Sequence, residues 1–412
     1  MVGRRTRLAR ALFALLVTAP MAACSTATLT PTPTAPSGSS EVVATTPLAP
    51  PLLPAASTDP FTPEIVAALQ DATEGWISPN NGPGVTAAVV SAKGTWSGAG
   101  GVDGTGRPLV PNAMMGIGSI TKTFVAAEVM ALSGRGLIDL DTALANYIPL
   151  SFSHGGATVR QVLGMMSGFP DIDLEALFER TLAQPDRAWT TAELVQQVDP
   201  KGLRLGSLGV VYSYNNLNFI LLGQLIEKVT GKPLAAAIRQ DLLREAGLDR
   251  VVVQDAEAPP PPVARPVPDL HGRPAASDGP YLPTRAIATL INAAGGMAAD
   301  APSIARWTYL LYGGYVINPG LVGEMTTAGP DVHYGLGTQL GDFGGQQAIG
   351  HSGSWPGYYG LTFVWPQQAV AVTVLVPQSA PEAVIPDMTL GELMFKLHDI
   401  VAPDAPVSTT TT

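Results

Sequence analysis

The sequence is poor in cysteine, in charge and in basic residues. Its 412 residues include one cysteine, and only 14% of them are charged. A single cysteine excludes a disulfide within the chain, so a hydrophobic core must stabilise the fold. Lys and Arg number 23 against 33 Asp and Glu, and four arginines lie within the first ten positions. The other 19 basic residues leave a body with a net charge of −14, which argues against a nucleic-acid partner.

Several patterns of known chemistry are also missing. There is no Gly-x-Ser-x-Gly elbow, no phosphate-binding loop and no dinucleotide fingerprint, which argues against an α/β-hydrolase or a nucleotide-dependent enzyme. No segment is long and apolar enough to span a bilayer as a helix. We expect no metal and no cofactor, because the five histidines do not show the spacing of metal ligands. These are His154, His271, His333, His351 and His398.

The first 24 residues have the pattern of an export signal. A basic segment, Arg4 to Arg10, precedes a short apolar stretch, and small residues then lead to Cys24. This resembles the site at which a bacterial lipoprotein is cut and acylated, with Met21 where Leu is usual. We therefore predict a signal peptide over 1–23 and a lipidated Cys24, which would anchor an exported protein on the outer face of the cell membrane. The alternative is an ordinary secretory signal cut near Ala23 and a secreted protein.

Composition divides the rest of the chain into a folded body and two loose ends. Residues 24–60 are rich in Pro, Ser and Thr and cannot bury enough apolar surface to fold, so we predict that they form a disordered tether. Residues 402–412 are predicted to be a disordered tail. The folded domain is expected over 61–401, with a mostly helical lobe at about 142–300.

Strand-like segments lie near both ends of the body, and helix-like segments fill its middle. The patterns predict strands over 85–90, 95–101, 334–340, 347–350, 360–365 and 369–376. They predict helices from Pro63, from Ser119 to Gly134, and over 159–166, 174–182, 191–198, 216–229, 234–245, 287–294, 302–312 and 388–400. This order predicts an α+β fold, an α/β sandwich in which helices flank one antiparallel sheet made from both chain ends.

One short motif combines a hydroxyl with an amine. Gly116 and Gly118 precede Ser119, and Lys122 follows within a run of helix formers. If Ser119 begins a helix, Ser119 and Lys122 share one face, and the helix dipole favours negative charge at the serine. A hydroxyl beside an amine is one way in which proteins activate a weak nucleophile. The alternative interpretation is an N-cap serine followed by a solvated lysine.

Two later motifs have ordinary explanations when each is taken alone. Tyr214 and Asn216 come just before a predicted helix, where Tyr214 could be a core aromatic residue and Asn216 an N-cap. His351 opens a His-Ser-Gly-Ser segment beside predicted strands, where it could be a strand-edge residue. All three motifs in this order are much harder to attribute to chance.

Together these motifs resemble those of the penicillin-recognising serine hydrolases, in the branch of class C β-lactamases, D-alanyl-D-alanine peptidases and β-lactamase-like esterases. The resemblance covers roughly residues 62–400. The family's Ser-x-x-Lys motif falls on Ser119 and Lys122, and its Tyr-x-Asn motif falls on Tyr214 and Asn216. It implies a β-lactamase/transpeptidase-like fold and an acyl-enzyme on Ser119. Lys122 and Tyr214 are both candidates for the general base, and Asn216 is expected to bind the substrate's amide side chain.

The family's third motif, Lys-Thr-Gly in the β-lactamases, falls on His351 to Gly353. The resemblance places His351 against Tyr214 or a substrate carboxylate, and makes Gly353 and Ser354 part of the substrate site. It also implies an oxyanion hole made by the backbone N–H groups of Ser119 and Ser354. A histidine in place of lysine weakens the fixed positive charge for a carboxylate, so we expect ester activity and poor β-lactam turnover.

The sequence leaves three functions open. The first is an exported serine hydrolase acting on an ester, amide or lactam carbonyl, of the esterase or D-Ala-D-Ala carboxypeptidase kind. The second is a penicillin- or cell-wall-binding lipoprotein with little or no turnover, and the third is a structural lipoprotein with chance motifs. The sequence favours the first, with a small molecule or a peptidoglycan peptide as substrate, the membrane as partner through its lipid anchor, and a monomeric state.

Met165 stands where many family members have a histidine that is not usually catalytic.

Overall fold

Strands from both ends of the chain form one antiparallel sheet at the centre of the fold. The protein is represented by a computed structural model, which describes residues 53–152, 155–198, 208–268, 279–328, 332–379 and 387–403. The predicted signal peptide, Cys24, most of the predicted tether and residues 404–412 lie outside these ranges.

The described ranges contain nine strands and thirteen α-helices. The strands are β1 Gly84–Ser91, β2 Thr95–Gly101, β3 Met115–Gly116, β4 Val251–Val253, β5 Met297–Ala299, β6 Gln339–Phe343, β7 Gln346–Trp355, β8 Tyr358–Trp365 and β9 Val370–Val376. The helices are α1 Pro63–Glu74, α2 Thr121–Gly134, α3 Val159–Leu163, α4 Leu174–Ala183, α5 Thr191–Val195, α6 Asn216–Thr230, α7 Leu234–Ile238, α8 Arg244–Ala246, α9 Arg285–Leu290, α10 Asn292–Gly295, α11 Ala301–Tyr312, α12 Pro319–Thr326 and α13 Leu390–Val401.

The main sheet has six strands in the order β2-β1-β9-β8-β7-β6, and all neighbours are antiparallel. Strand β1 from the start of the body pairs with β9 near its end, so that Thr86 lies opposite Leu375. Every residue of β1 and β9 is buried, which places both strands at the centre with a layer on each face. The predicted α+β sandwich, with its sheet made from both chain ends, is confirmed.

Helices cover both faces of this sheet. On one face α1 and α13 pack together against the strands, and their core includes Trp365, Leu393 and Leu397. On the other face α11 packs against β1, β8 and β9. Burial of apolar side chains between three layers is the main source of stability in such a fold.

Aromatic contacts fix helix α2 to α11, the helix on this other face of the sheet. Phe124 of α2 stacks on Trp307 of α11 with ring centroids 4.0 Å apart. The Trp307 indole N–H donates to the Thr123 hydroxyl at 2.9 Å. These contacts orient the start of α2, where the predicted nucleophile lies.

A second, three-stranded sheet in the order β3-β5-β4 was not predicted. Strands β4 and β5 lie within the region that the sequence predicts to be a helical lobe, and each has only three residues. Strand β5 pairs with β3, and the Ile117 N–H then donates to the Met297 carbonyl at 3.0 Å. The small sheet therefore fixes the segment that leads into Ser119.

Other predictions also differ from the structure in detail. The strand expected over 334–340 begins only at Gln339, because the chain turns back between Tyr334 and Gln339, which form an isolated antiparallel bridge. Gly337 also has a φ of +73°, and a Cβ there would lie 2.4 Å from the Ala126 Cβ. The end of the predicted tether packs on the body, because the carbonyl of Pro54 accepts a hydrogen bond from the Tyr309 hydroxyl at 2.7 Å.

The structure also bears on membrane insertion. Within the residues that it describes, no helix has the length and apolar character needed to cross a bilayer.

Candidate active site

The predicted nucleophile lies in a tight turn immediately before α2. Gly118 to Ile120 form one turn of 3₁₀-helix, and α2 begins at Thr121. Ser119 was expected at the start of the helix itself, but the turn still presents it to the residue three positions later. Gly118 has a φ of +50°, and a Cβ on it would lie 2.9 Å from the Ser354 nitrogen. A glycine is therefore needed where the turn meets β7.

Lys122 lies beneath Ser119 and is completely buried, with a relative exposure of 0%. Its Nζ donates to Ser119 Oγ at 3.1 Å and to Asn216 Oδ1 at 3.0 Å. A third bond goes to the carbonyl oxygen of Ala294 at 2.7 Å. Three acceptors fix the amine within hydrogen-bonding distance of the serine hydroxyl.

Burial changes the proton affinity of this amine. It lowers the pKa of Lys122 to about 7, and the nearby charge of Asp171 works in the opposite direction. A lysine usually has a pKa near 10.4 and carries its proton at neutral pH. A substantial fraction of Lys122 is thus neutral near pH 7, and a neutral amine 3.1 Å from a hydroxyl can accept its proton.

Tyr214 lies on the other side of the same two groups. Lys122 Nζ is 4.8 Å from the centroid of its ring. Burial raises the pKa of Tyr214, although a hydrogen bond with Ser119 opposes the shift. The sequence made Tyr214 a possible base if neighbouring cations depressed its pKa. The opposite shift leaves it protonated, which suits a proton donor and favours Lys122 as the base.

Asn216 begins α6, and its geometry links that helix to the lysine. The preceding residue, Asn215, is the N-cap, and its side chain accepts the N–H of Asn218 at 3.2 Å. The sequence assigned Asn216 to the substrate's amide side chain. In the structure its carbonyl oxygen accepts from Lys122 at 3.0 Å, so its side chain holds the lysine amine.

Met165 supports the same helix start. It is fully buried, and its sulfur accepts the Asn215 N–H at 3.4 Å and lies 3.7 Å from Asn218 Nδ2. The histidine-to-methionine difference seen in the sequence therefore keeps an acceptor, though a weak one, at this place.

His351 lies in β7 and is completely buried. Its Nε2 is 3.1 Å from the Tyr334 hydroxyl, and its Nδ1 is 2.6 Å from the Ser352 carbonyl oxygen. Burial lowers the pKa of His351 to about 3, with a further contribution from Lys122, so the ring is neutral at ordinary pH. Its ring also lies 6.4 Å from that of Tyr214. These contacts place His351 among tyrosines, not at a surface open to a substrate carboxylate.

Gly353 and Ser354 lie where β7 passes the nucleophile turn. A Cβ on Gly353 would come 2.0 Å from the Ile117 carbonyl oxygen, so this glycine permits the close approach of the two backbones. The Ser352 N–H donates to Gln339 Oε1 at 2.8 Å, away from β8. Alternate N–H groups of a strand point to the same side, so the Ser354 N–H faces the same edge as that of Ser352. The Ser354 nitrogen lies beside the nucleophile turn, because a Cβ on Gly118 would come within 2.9 Å of it.

Asp171 belongs to the site but was not singled out in the sequence. Its Oδ2 accepts the N–H of Asn216 at 3.1 Å, and its Oδ1 accepts the N–H of Leu217 at 3.0 Å. It precedes α6 by more than forty residues, so sequence spacing does not connect the two. Within the described ranges, no three His, Cys, Asp or Glu side chains lie close enough together to hold a metal ion.

The fold and the Ser–Lys–Tyr arrangement define a penicillin-recognising serine hydrolase. The family model described as Beta-lactamase matches residues 73–390, and the chain belongs to this family.

The proteins similar to this chain include a penicillin-binding protein, a D-aminopeptidase and a D-amino acid amidase. Penicillin-binding protein 4* of Bacillus subtilis (strain 168) is 23% identical over 265 residues, which cover 61% of this chain and 58% of that protein. The D-aminopeptidase of Brucella ovis is 26% identical over 258 residues, covering 61% and 47% respectively. The chain thus spans about half the length of these relatives. The solved D-amino acid amidase of Ochrobactrum anthropi SV3, in complex with D-phenylalanine, has a TM-score of 0.70 at 20% identity, over 83% of this chain and all of that one.

Proposed function

We propose that the protein is a serine hydrolase that forms an acyl-enzyme on amide or ester carbonyls. The observation that carries this proposal is the buried Lys122, which lies 3.1 Å from Ser119 Oγ and 3.0 Å from Asn216 Oδ1. Neither an N-cap serine nor a solvated lysine accounts for an amine buried in this way. Its lowered pKa is what a general base working near neutral pH needs.

The geometry suggests an order of steps. Neutral Lys122 takes the proton of Ser119 as Oγ forms a bond to the substrate carbonyl carbon. The oxygen gains negative charge and is held by the N–H groups of Ser119 and Ser354. The leaving nitrogen or oxygen takes a proton from Tyr214 as its bond to carbon breaks, and Lys122 returns a proton to Tyr214. Water then attacks the acyl-enzyme in the reverse sense, releasing the acid and restoring Ser119.

The substrate class follows from the charge at position 351. A neutral, buried His351 supplies no fixed cation for a substrate carboxylate. We infer that uncharged amides and esters are preferred over the anionic β-lactams. The names of the relatives, D-aminopeptidase and D-amino acid amidase, support amides of D-amino acids as the first substrates to test.

The test is covalent labelling followed by turnover. A fluorophosphonate probe and penicillin are incubated with the protein, with Ser119→Ala and with the control Ser133→Ala, a change further along α2. Intact-mass spectrometry should show one adduct on the protein and on the control, and none on Ser119→Ala. An adduct that persists in Ser119→Ala and maps to another serine would remove Ser119 from the mechanism.

Turnover separates a hydrolase from a binding protein. D- and L-phenylalanine amide, a p-nitrophenyl ester and nitrocefin are compared as substrates. Hydrolysis of the D-amide and the ester with poor nitrocefin turnover supports the proposal. Stable penicillin labelling without any turnover would instead indicate the alternative, a penicillin- or cell-wall-binding protein. Efficient penicillin hydrolysis without ester hydrolysis would contradict the role given to His351.

We further propose that the protein is exported and anchored by a lipid on Cys24, and that it is a monomer. The support is the basic and apolar N-terminal segment before the chain's only cysteine. Cys24→Ser should move the protein from the membrane fraction to the soluble exported fraction. An unchanged membrane fraction would place the anchor elsewhere. Light scattering of the purified domain tests the monomer.

A further inference from the structure

Asp171 is a carboxylate that the mechanism above does not use. It lies before α4, yet its contacts go to the first turn of α6. Its two oxygens accept the N–H groups of Asn216 and Leu217, and Oδ1 also accepts the N–H of Ile172 at 2.8 Å. A carboxylate at a helix N-terminus satisfies N–H groups that have no partner within the helix and interacts favourably with the helix dipole.

Those contacts connect Asp171 to the general base. The Asn216 N–H that it holds belongs to the residue whose side chain accepts from Lys122 at 3.0 Å. Asp171 also acts on Lys122 directly through its charge. The other titratable groups beside Lys122 are Tyr214 and His351, which burial keeps uncharged near neutral pH.

The ionisation of Asp171 itself follows from its surroundings. Burial raises the pKa of Asp171, while the three backbone N–H donors and Lys122 oppose that shift. Since all three donors point at acceptor oxygens, the arrangement fits the ionised carboxylate better than the acid.

We propose that Asp171 is a positioning residue of the acyl-transfer site, which holds Asn216 against Lys122 and places a negative charge opposite the lysine ammonium. The inference rests on the proposed function, because it concerns the base of that reaction. Without the carboxylate, the start of α6 loses its acceptors and the protonated lysine loses its stabilising charge. Asp171 therefore tunes both the position and the proton affinity of the base.

The test follows the protonation of Lys122 without relying on turnover. The chain has six lysines, so labelling the full chain with lysine carrying ¹³C at Cε gives a tractable spectrum. The Lys122 signal is the one that Lys122→Arg removes. Asp171→Asn keeps the size of the side chain and one oxygen acceptor but removes the charge. Asp186→Asn, which neutralises an exposed carboxylate of the helical lobe, is the matched control.

In the unmodified protein the Lys122 signal should titrate near pH 7. Loss of a stabilising negative charge favours the neutral amine, so Asp171→Asn should lower this midpoint by about one pH unit. The control Asp186→Asn should leave the Lys122 midpoint unchanged. Asp171→Glu keeps the charge, so its midpoint should lie close to that of the unmodified protein. A midpoint in Asp171→Asn within about 0.2 pH unit of the unmodified value would overturn the inference.

A second readout separates this inference from the proposed function. Displacement of Asn216 should slow fluorophosphonate labelling of Ser119 about tenfold in Asp171→Asn. If Ser119 is not labelled in any variant, the proposed function fails, yet the titration of Lys122 still decides the role of Asp171. If labelling and titration are both unchanged in Asp171→Asn, the inference fails and the proposed function stands.

Discussion

Lys122 Nζ lies 3.0 Å from Asn216 Oδ1, although 94 positions separate the two residues in the chain. The contact joins α2, the helix that follows the nucleophile turn, to the first residue of α6. It brings two sequence motifs into one site, and it fixes an amine that burial has made a weak base. The chemistry of the site therefore depends on how tightly α2 and α6 are held together.

The first prediction concerns the pH dependence of acylation. Since only neutral Lys122 can accept the Ser119 proton, the labelling rate should rise with pH through about 7, the lowered pKa of this lysine. Below that pH the rate should fall about tenfold per unit. Fluorophosphonate labelling between pH 5 and 9 measures this. Lys122→Arg stays protonated and should be slow throughout, whereas a flat profile for the unmodified protein would argue against Lys122 as the base.

The second prediction concerns the tyrosine hydroxyl. Tyr214→Phe keeps the ring beside Lys122 but removes the proton donor, so kcat on an amide should fall by about 10²–10⁴. Tyr212→Phe is the control, because Tyr212 packs on Tyr334 in the same aromatic cluster. Steady-state kinetics on both variants make the comparison. Equal losses in the two would indicate a structural role for the hydroxyls and not proton transfer by Tyr214.

The third prediction concerns His351→Lys, which restores the lysine of the β-lactamase motif. If charge alone set the preference, this change should raise β-lactam activity relative to ester activity. The structure predicts loss of stability instead, because the new ammonium would be buried close to Lys122. Two neighbouring buried cations should cost about 3 kcal/mol or more in the free energy of unfolding. Chemical denaturation measures this cost. His351→Gln, which can still bond Tyr334, should lose less, and an equally stable His351→Lys would restore the earlier expectation.

The fourth prediction concerns a buried acid away from the site. Glu128 of α2 is completely buried, 3.5 Å from Arg135, and burial together with Asp241 raises its pKa to about 7. Because the pKa of Glu128 is raised in the folded state, the contribution of this side chain to stability is fully present below about pH 4.5. It is lost as the pH rises through about 7. Glu128→Gln cannot ionise and should gain about 1–3 kcal/mol over the unmodified protein at pH 8.

The same comparison at pH 4 should show little difference between Glu128→Gln and the unmodified protein. Glu245→Gln, which removes an exposed carboxylate from α8, is the control. Urea denaturation at both pH values gives the free energies. If Glu128→Gln is less stable at pH 8, the ion pair with Arg135 outweighs the cost of burying the charge.

Sequence patterns predicted the elements whose formation depends on residues close together in the chain. The strands at both ends, the start of α1 at Pro63 and the run of α2 to Gly134 follow from apolar spacing and turn residues. The three site motifs were found because they occur together in the order of a known family, although each has an ordinary explanation when taken alone. The structure adds that Lys122 stands within a run of residues that the fold buries.

The remaining features depend on contacts that sequence spacing does not contain. The strands β4 and β5 are too short to show a period and are formed by pairing with each other. Tyr334 has the sequence pattern of a strand residue, but the chain turns back between Tyr334 and Gln339. Asp171 meets the start of α6 only in the folded chain, where its oxygens accept the N–H groups of Asn216 and Leu217. The opposite pKa shift of Tyr214 likewise depends on the layers that bury it.

The pairing of β1 with β9 also has a consequence for how the chain folds. The β1–β2 hairpin and α1 are synthesised early, but the other edge of β1 has no partner until residues near Leu375 exist. Contacts between such distant parts of a chain form slowly, and the apolar face of the hairpin stays uncovered meanwhile. A chain cut short before β9 exposes a strand edge that can pair with other chains, so truncated products of this protein should aggregate.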